Sequence, residues 1–552
     1  MSVDNIKIAQ LILPDVKITS QQILEKYPPR QLKEGAMVTR FAPSPTGFLH
    51  IGGLFTAMVN KRAAMQSDGV FYIRIEDTDK KREIEDGVKI VIDGLNAFGI
   101  DADEGFCPDG QKGDYGPYQQ SQRRDIYRAF VKQLMEKGMA YPCFLTEQEL
   151  SQIRAEQEKL KVNTGIYGKW AKYRDITVDE AQKLINEGKS FVVRLRSPGD
   201  SQKRISFKDA IKGRIEMPEN DQDVVILKAD GIPTYHFAHA IDDHLMGTTH
   251  VIRGDEWISS APIHLQLFSV LGFKPPVYAH VSPIMKEENG GKRKLSKRKD
   301  PEAAVGYYYE QGYPKESVME YLMTIANSNY EDWRKANQKE DNKNFPFNLK
   351  KLSLSGALFD LVKLNDVSKN VISIMPAQKV FELSLEWAKQ YDKQLAELFE
   401  RDRQYATEIL NIDRENKKPR KDIAKWSDVR DYVEYMYDEI WDKSEMVLPE
   451  NISNEDGIEI IDAYLQKYNP EHTKDEWFNT MKEICEPLGF ASEVKVYKKN
   501  PDDYKGHVGD ISTVIRIALT GRKNTPDLYY IMKLLGQDKV KERLNSFKEK
   551  LS

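Results

Sequence analysis

The chain has 552 residues, a formal net charge of −4, 40% hydrophobic residues and 30% charged residues. This length exceeds what a single core organises, and no apolar run is long enough to cross a bilayer. The three cysteines, Cys107, Cys143 and Cys485, stand too far apart for a disulfide framework, and no basic n-region with an apolar core opens the chain. A disulfide-stapled secreted domain and a membrane span are therefore excluded, and a cytoplasmic location is expected. Weak negative charge does not exclude nucleic acid, because a partner feels the local potential rather than the sum.

Residues 1–35 read as an appendage, with Ser20 capping a short helix over 21–26 and Pro28-Pro29 ending it. Residues 37–42 are β-compatible, and Pro43 and Pro45 stop that strand because proline cannot donate to a ladder. Gly47, Gly52 and Gly53 let the backbone approach a ligand closely. Helical composition follows over 54–64. A strand, a glycine-bearing turn and a helix N-terminus make an anion site, to which His50 adds a hydrogen bond to phosphate. Residues 70–75 are a second strand, which completes a βαβ unit and predicts a parallel sheet. Ligands sit beyond the carboxyl ends of such strands. Arg40 and Glu76 lie at those ends and are expected to face one crevice.

Residues 120–228 have mixed α and β character and read as an insert. They include a polar helix from 119, a charged helix over 150–161 and an alternating strand at 191–196. Residues 224–227 and 250–253 return to buried-strand composition and are expected to form the second half of the sheet. Residues 292–299 are a basic loop. Beyond 305 the pattern is helical. Ile423, Trp426, Val429, Val433, Met436 and Ile440 predict one apolar helix face, and Val540, Leu544, Phe547 and Leu551 another. Thr525-Pro526 reads as a helix start and Gly536 as a stop.

Lys294-Leu295-Ser296-Lys297-Arg298, preceded by Gly290-Gly291, reads as a glycine-hinged loop that swings lysines onto a polyphosphate. Such a cluster alone is ordinarily a solvated loop. Combined with the His50-Ile51-Gly52-Gly53 turn, it points to nucleotide chemistry. The pair resembles the "HIGH" and "KMSKS" signatures of class I aminoacyl-tRNA synthetases. Residues 39–47, including Arg40, Ala42, Pro43 and Ser44, resemble the glutamyl-tRNA synthetase family in particular. So do 74–79, Pro233-Thr234-Tyr235-His236, Asp242-Asp243-His244, 251–257 and 517–522. The similarity covers the chain from about residue 36 to the end.

The resemblance implies an α/β fold: a Rossmann-type parallel-sheet catalytic domain with an inserted α+β domain, then an all-α anticodon-binding module of the bacterial type. The implied boundaries are 1–35 extension, 36–120 first catalytic half, 121–228 acceptor-end-binding insert, 229–280 second catalytic half, 281–372 stem-contact domain and 373–552 anticodon domain. It implies ATP-dependent activation of L-glutamate to glutamyl-adenylate, then transfer to the 3′ end of tRNA(Glu), with Mg²⁺ accompanying ATP. No protein nucleophile is needed, so positioning and electrostatics carry catalysis.

By the same resemblance His50, Lys294 and Lys297 are catalytic. Gly52, Gly53, Ser296 and Glu256 join them around ATP, and Gly53 departs from the motif's second histidine. Arg40, Ala42, Ser44, Glu76, Tyr235, His239 and Arg253 line the glutamate site, with His239 where some members carry asparagine. A structural salt bridge is the alternative reading for Arg40 and Arg253. Trp257 is a pocket wall or plain core. His236, His239 and His244 are not expected to hold a metal. Cys143 lacks a cysteine partner, so no structural zinc is expected. Gly188-Lys189-Ser190 lacks the rest of a P-loop. Arg194, Arg196 and Lys228 are candidates for the tRNA acceptor end, and Arg420 and Trp426 for the anticodon. The chain is expected to be a monomer. The rival readings are a glutaminyl or non-discriminating ligase and a non-catalytic tRNA-binding derivative.

Overall fold

The computed structural model describes residues 2–45, 47–79, 84–296, 298–443 and 446–552. It divides into two units, Met1–Tyr307 with Leu322–Asp360, and Tyr308–Tyr321 with Leu361–Ser552.

The first unit opens with α1 (Val3–Ile12) and α2 (Ser20–Lys26). The cap of α2 is Thr19 rather than Ser20. Its hydroxyl accepts from Gln22 N–H at 3.2 Å while Gln22 Oε1 accepts from Thr19 N–H at 2.9 Å. This reciprocal box satisfies two helix-end donors. Next come β1 (Val38–Phe41), α3 (Ile51–Gln66), β2 (Val70–Ile73), α4 (Gly87–Ala97), β3 (Glu104–Cys107) and β4 (Gly110–Lys112). β1, β2 and β3 are parallel, with Val38 opposite Val70 and Tyr72 opposite Glu104, and β4 is an antiparallel edge. α3 buries Leu54, Phe55, Met58 and Val59, the apolar surface that the sheet requires it to present.

The insert supplies α5 (Arg124–Glu136), β5 (Ala140–Cys143), α6 (Glu147–Lys159), α7 (Val178–Asn186), β6 (Val192–Leu195), a hairpin of β7 (Arg204–Asp209) and β8 (Gly213–Pro218), and β9 (Val225–Leu227). β9 does not return to the parallel sheet. It pairs antiparallel with β6, which pairs with β5. A short apolar run states that a strand is buried, not which strand it will meet. Nor does the insert close a core of its own. Phe130, Leu134, Val193 and Ile226 pack with Phe237 and Ile241 of α8 (Tyr235–Leu245), and with Ile8, Ile12 and Ile23 of the N-terminal helices. The N-terminal appendage is thus part of a shared core. Asp15 fixes it further, accepting from both Nη groups of Arg128 at 2.6 Å.

The expected second half of the sheet is a separate two-stranded sheet of β10 (His250–Gly254) and, after α9 (Ala261–Leu271), β11 (Val277–Val281). These two are parallel, with Arg253 opposite His280. Thr249 N–H donates to Val38 O at 3.0 Å, which sets the start of β10 beside β1. Arg40, Glu76 and Arg253 therefore share one end of the two sheets. β12 (Ile284–Glu288) and β13 (Gly291–Lys294) form a hairpin closed by Asn289 and Gly290, both left-handed at φ 52° and 77°. Gly290 is there because the two-residue turn needs positive φ. Residues 292–294 of the expected basic loop are thus strand. β14 (Ala357–Leu358) lies parallel to β12.

The second unit is built of helices around Val380, Phe399, Ile460, Val514, Ile531 and Leu544. The predicted face over 423–440 is buried but is not one helix. Ile423 and Trp426 precede Asp428–Val433, which passes into a 3-10 turn at Glu434–Met436. Gln537–Leu551 buries Val540, Leu544 and Phe547 as predicted, and Gly536 at φ 82° ends Leu528–Leu535. The cap of that helix is Asp527, beyond Thr525-Pro526. Trp426 is buried and cannot stack on a base. Arg420 is engaged by Asp422 at 2.7 and 3.1 Å.

Candidate active site

His50 stands at the N-cap of α3, where its Nδ1 accepts from Gly52 N–H at 2.9 Å. That bond places the ring proton on Nε2 and makes that nitrogen a donor. A Cβ at Gly52 would stand 3.1 Å from this Nδ1, and one at Gly53 would stand 3.1 Å from Leu49 Cδ1. The two glycines keep that space open.

The turn at His50 is joined by backbone to the segment that follows the basic loop. His50 bridges Ala304, and Val305 N–H donates to Leu49 O at 3.1 Å. Asp300 ties down the other end of the basic loop. It accepts from Arg293 at 2.6 and 2.8 Å, from Lys286 at 3.1 Å and from Ser296 N–H at 2.9 Å. Those bonds, led by Arg293, hold its carboxyl far below the usual range. Leu295 is buried beneath the loop and Arg298 is exposed. Lys297 lies outside the described residues.

One cavity collects Arg40, Ala42, Ser44, His50, Gly52, Gly53, Glu76, Tyr235, Arg253, Glu256, Trp257 and Lys294. Pro43, Ile51, Ser296 and His239 are not among its walls. His239 is wholly buried, with Nδ1 2.6 Å from Asp243 Oδ2 and Nε2 3.1 Å from the Tyr278 hydroxyl. Its ring stacks behind Tyr235 at 5.9 Å. It lies behind the wall rather than in it, because its helix position turns it one layer inward. Burial pushes its pKa down to about 3, so the ring is neutral. The other two histidines diverge from it. His236 pairs with His264 at 2.9 Å, and His244 stacks on Phe273 at 3.6 Å.

The two cavity arginines differ in charge state of their surroundings. Arg40 is tied through Nε to Asp243 at 3.2 and 3.3 Å. Asp243 also accepts from Arg74 Nη1 at 2.7 Å, and Arg74 Nη2 donates to Glu76 at 2.9 Å. Burial opposes the Asp243 charge, but Arg40 and Arg74 outweigh it and hold its pKa well below the ordinary range. Burial pushes the Glu76 carboxyl up, against the pull of Arg74 and Arg40. Arg40 thus belongs both to a structural ion network and to the cavity wall.

Arg253 has no carboxylate partner among the described residues. Nε donates to His280 Nε2 at 3.2 Å, and Nη2 donates to His264 Nδ1 at 3.1 Å and to Trp257 O at 3.3 Å. The Tyr278 ring lies 4.8 Å from its guanidinium. Both imidazoles are held neutral, mainly by burial. The result is a buried cation fixed by neutral acceptors and open to the cavity.

Residues 36–366 match the family described as tRNA synthetases class I (E and Q), catalytic domain, and 385–548 match the anticodon binding domain family. The glutamate–tRNA ligase of Clostridium perfringens (strain SM101 / Type A) is 53% identical over 551 residues, 99% of this chain and 100% of that protein. That of Clostridium beijerinckii is 51% identical, covering 98% and 99%. The chain belongs to the glutamate–tRNA ligases. Among solved structures, the glutamate–tRNA ligase of Elizabethkingia meningosepticum in complex with its amino acid superposes with a TM-score of 0.73. It is 27% identical and covers 94% of this chain and 100% of that one.

In this ligase, sequence motifs located the cavity walls but not what lies beneath them. Arg74 and Asp243 lie inside the quoted segments 74–79 and 242–244, but nothing there marked them as buried partners, and His280 lies outside every quoted segment. The one available signal was a run of charged residues on segments that otherwise read as core. Two insert candidates are held by contacts within the protein. Arg194 is buried and donates to Asp223 O at 2.9 Å, and Arg196 donates to Asp175 at 2.8 Å and to Arg174 O. Lys228 donates to Thr78 O at 2.7 Å. For His50 the geometry predicts a separable pair of roles. His50→Asn keeps a cap acceptor and is expected to lose about 10²-fold in ATP–pyrophosphate exchange with an unchanged melting midpoint. Calorimetry beside the exchange assay checks both.

Proposed function

We propose that the cavity holds L-glutamate against ATP, and that the product is transferred to the 3′ end of tRNA(Glu). The observation that carries the amino-acid assignment is the unneutralised Arg253. A buried cation held only by neutral acceptors gains most from an anionic ligand, so it selects a side-chain carboxylate over an amide. Glu76 receives the substrate ammonium, assisted by Ser44, Ala42 and the Tyr235 hydroxyl. Arg40 and its network hold the floor beneath.

His50 Nε2–H and the α3 N-terminus receive phosphate oxygens, and Lys294 and Lys297 neutralise charge as it grows on the α-phosphate. The substrate α-carboxylate oxygen attacks the α-phosphorus, a new P–O bond forms, and pyrophosphate leaves with the electron pair of the broken bond. Among the described residues no three His, Cys, Asp or Glu side chains converge on a metal point. The Mg²⁺ of the reaction enters on the ATP phosphates, where it offsets their charge. The insert receives the acceptor end and the helical unit reads the anticodon. The protein acts as a cytoplasmic monomer.

The test is aminoacylation by purified enzyme with labelled glutamate or labelled glutamine, on tRNA(Glu) and on glutamine-accepting tRNA. Glutamate on tRNA(Glu) is the expected product. Charging of glutamine instead, or of neither, would end the assignment. Glutamate on both tRNAs would make the enzyme non-discriminating.

A further inference from the structure

Arg253 is held by two imidazoles, and an imidazole nitrogen accepts a hydrogen bond only when its proton sits on the other nitrogen. Arginine has donors and no acceptor. His280 Nε2 must therefore be bare, and something must keep the proton on Nδ1. Asp209 stands there. Its Oδ2 is 2.7 Å from His280 Nδ1, and it also accepts from His280 N–H at 3.1 Å. Asp209 is 1% exposed. It sits at the end of β7, in the inserted hairpin, far in sequence from the cavity. The hairpin is locked in place there, with Ala210 N–H donating to Tyr278 O at 2.8 Å and Lys212 to Leu354 O at 2.6 Å.

We propose that Asp209 is a positioning residue for glutamate recognition: it fixes the His280 tautomer, so that His280 Nε2 accepts from Arg253 Nε and aims the guanidinium into the cavity. This rests on the reading of Arg253 as the glutamate contact. The arrangement separates the orienting carboxylate from the cation by one neutral ring. A carboxylate directly on Arg253 would orient it equally well but would cancel the charge needed for substrate. The relay gives orientation and leaves the cation unneutralised. Asp209 also accepts from Ile211 N–H at 2.9 Å and Lys212 N–H at 2.8 Å, so a purely local turn role is the competing explanation.

The experiment is a double-mutant cycle read by glutamate KM, ATP KM and kcat, with tRNA present. Asp209→Asn presents a donor to His280 Nδ1 and favours the Nε2–H form, which opposes Arg253 donor to donor. It is expected to raise glutamate KM about tenfold, with ATP KM changed less than about twofold. In a His280→Gln background the amide oxygen accepts from Arg253 whatever Asp209 does, so Asp209→Asn is expected to add less than about twofold. An equal effect in both backgrounds, or none in the wild type, overturns the relay. Histidine-labelled NMR gives a readout without activity, with His280→Gln identifying the resonance. Nδ1–H is expected in the wild type and Nε2–H overturns the proposal, even if Asp209→Asn does not fold. Arg253→Gln separates the failures. If it leaves glutamate KM unchanged, the reading of Arg253 is wrong. If it raises KM while Asp209→Asn does not, only the relay is wrong.

Discussion

Arg253→Gln is expected to lower kcat/KM for glutamate by about 10²- to 10³-fold, the cost of leaving a buried carboxylate without its cation. The loss falls on glutamate KM, because in the proposed arrangement the guanidinium meets the side chain of the substrate and not the reacting phosphorus. The ATP KM stays near its original value. The substituted amide still offers donors to one of the two imidazoles, His264 or His280, so the fold is retained. Glutamine, whose side chain carries no charge, loses much less, and the preference for glutamate over glutamine contracts by the ratio of the two losses. Aminoacylation with both amino acids across a concentration series measures all three quantities. An unchanged glutamate KM would move the side-chain pocket elsewhere.

Asp243→Asn is expected to destabilise the first unit by about 3–5 kcal/mol, the cost of stranding buried charge. Arg40 and Arg74 both lean on this one carboxylate, and His239 and the Tyr72 hydroxyl at 3.3 Å share it. Arg74 is wholly buried, so bulk solvent does not reach it. The effect has a defined pH dependence. Arg40 and Arg74 depress the pKa of Asp243 in the folded state. Its contribution to stability is complete above about pH 4, the ordinary carboxylate value, and is lost as pH falls toward the depressed one. The variant and the wild type should therefore converge in strong acid and differ most near neutrality. Denaturant midpoints across pH decide this, and a constant difference at every pH would show that the carboxylate charge is not the source. Glutamate KM rises as well, because Arg40 loses its anchor.

What could be seen in the sequence were features that need only neighbours along the chain. The 50–53 turn, the 294–298 basic run and the arginines at strand ends all carry their meaning locally, through glycine, proline and charge. So do the helix over Gln537–Leu551 and its apolar spacing. Errors arose where the decisive partner is remote. The strand Val225–Leu227 joined β6 instead of the parallel sheet. Trp426 was read both as part of an apolar face and as an anticodon candidate, and it is core. Gly290 looked like a hinge and is a hairpin turn.

The sequence by itself determined the reaction class and picked out residues that line one cavity, because those residues sit in short motifs whose backbone and charge requirements are local. Only the tertiary structure decided how the two arginines divide their work. Arg40 and Arg253 are equivalent on paper: each ends a parallel strand and each faces the cavity. They differ in what packs behind them, a shared carboxylate for Arg40 and two neutral imidazoles for Arg253. That difference depends on α8, α9, β11 and the inserted hairpin converging on one point. Electrostatic environment is set by everything within a few ångströms, and chain order does not say what that will be.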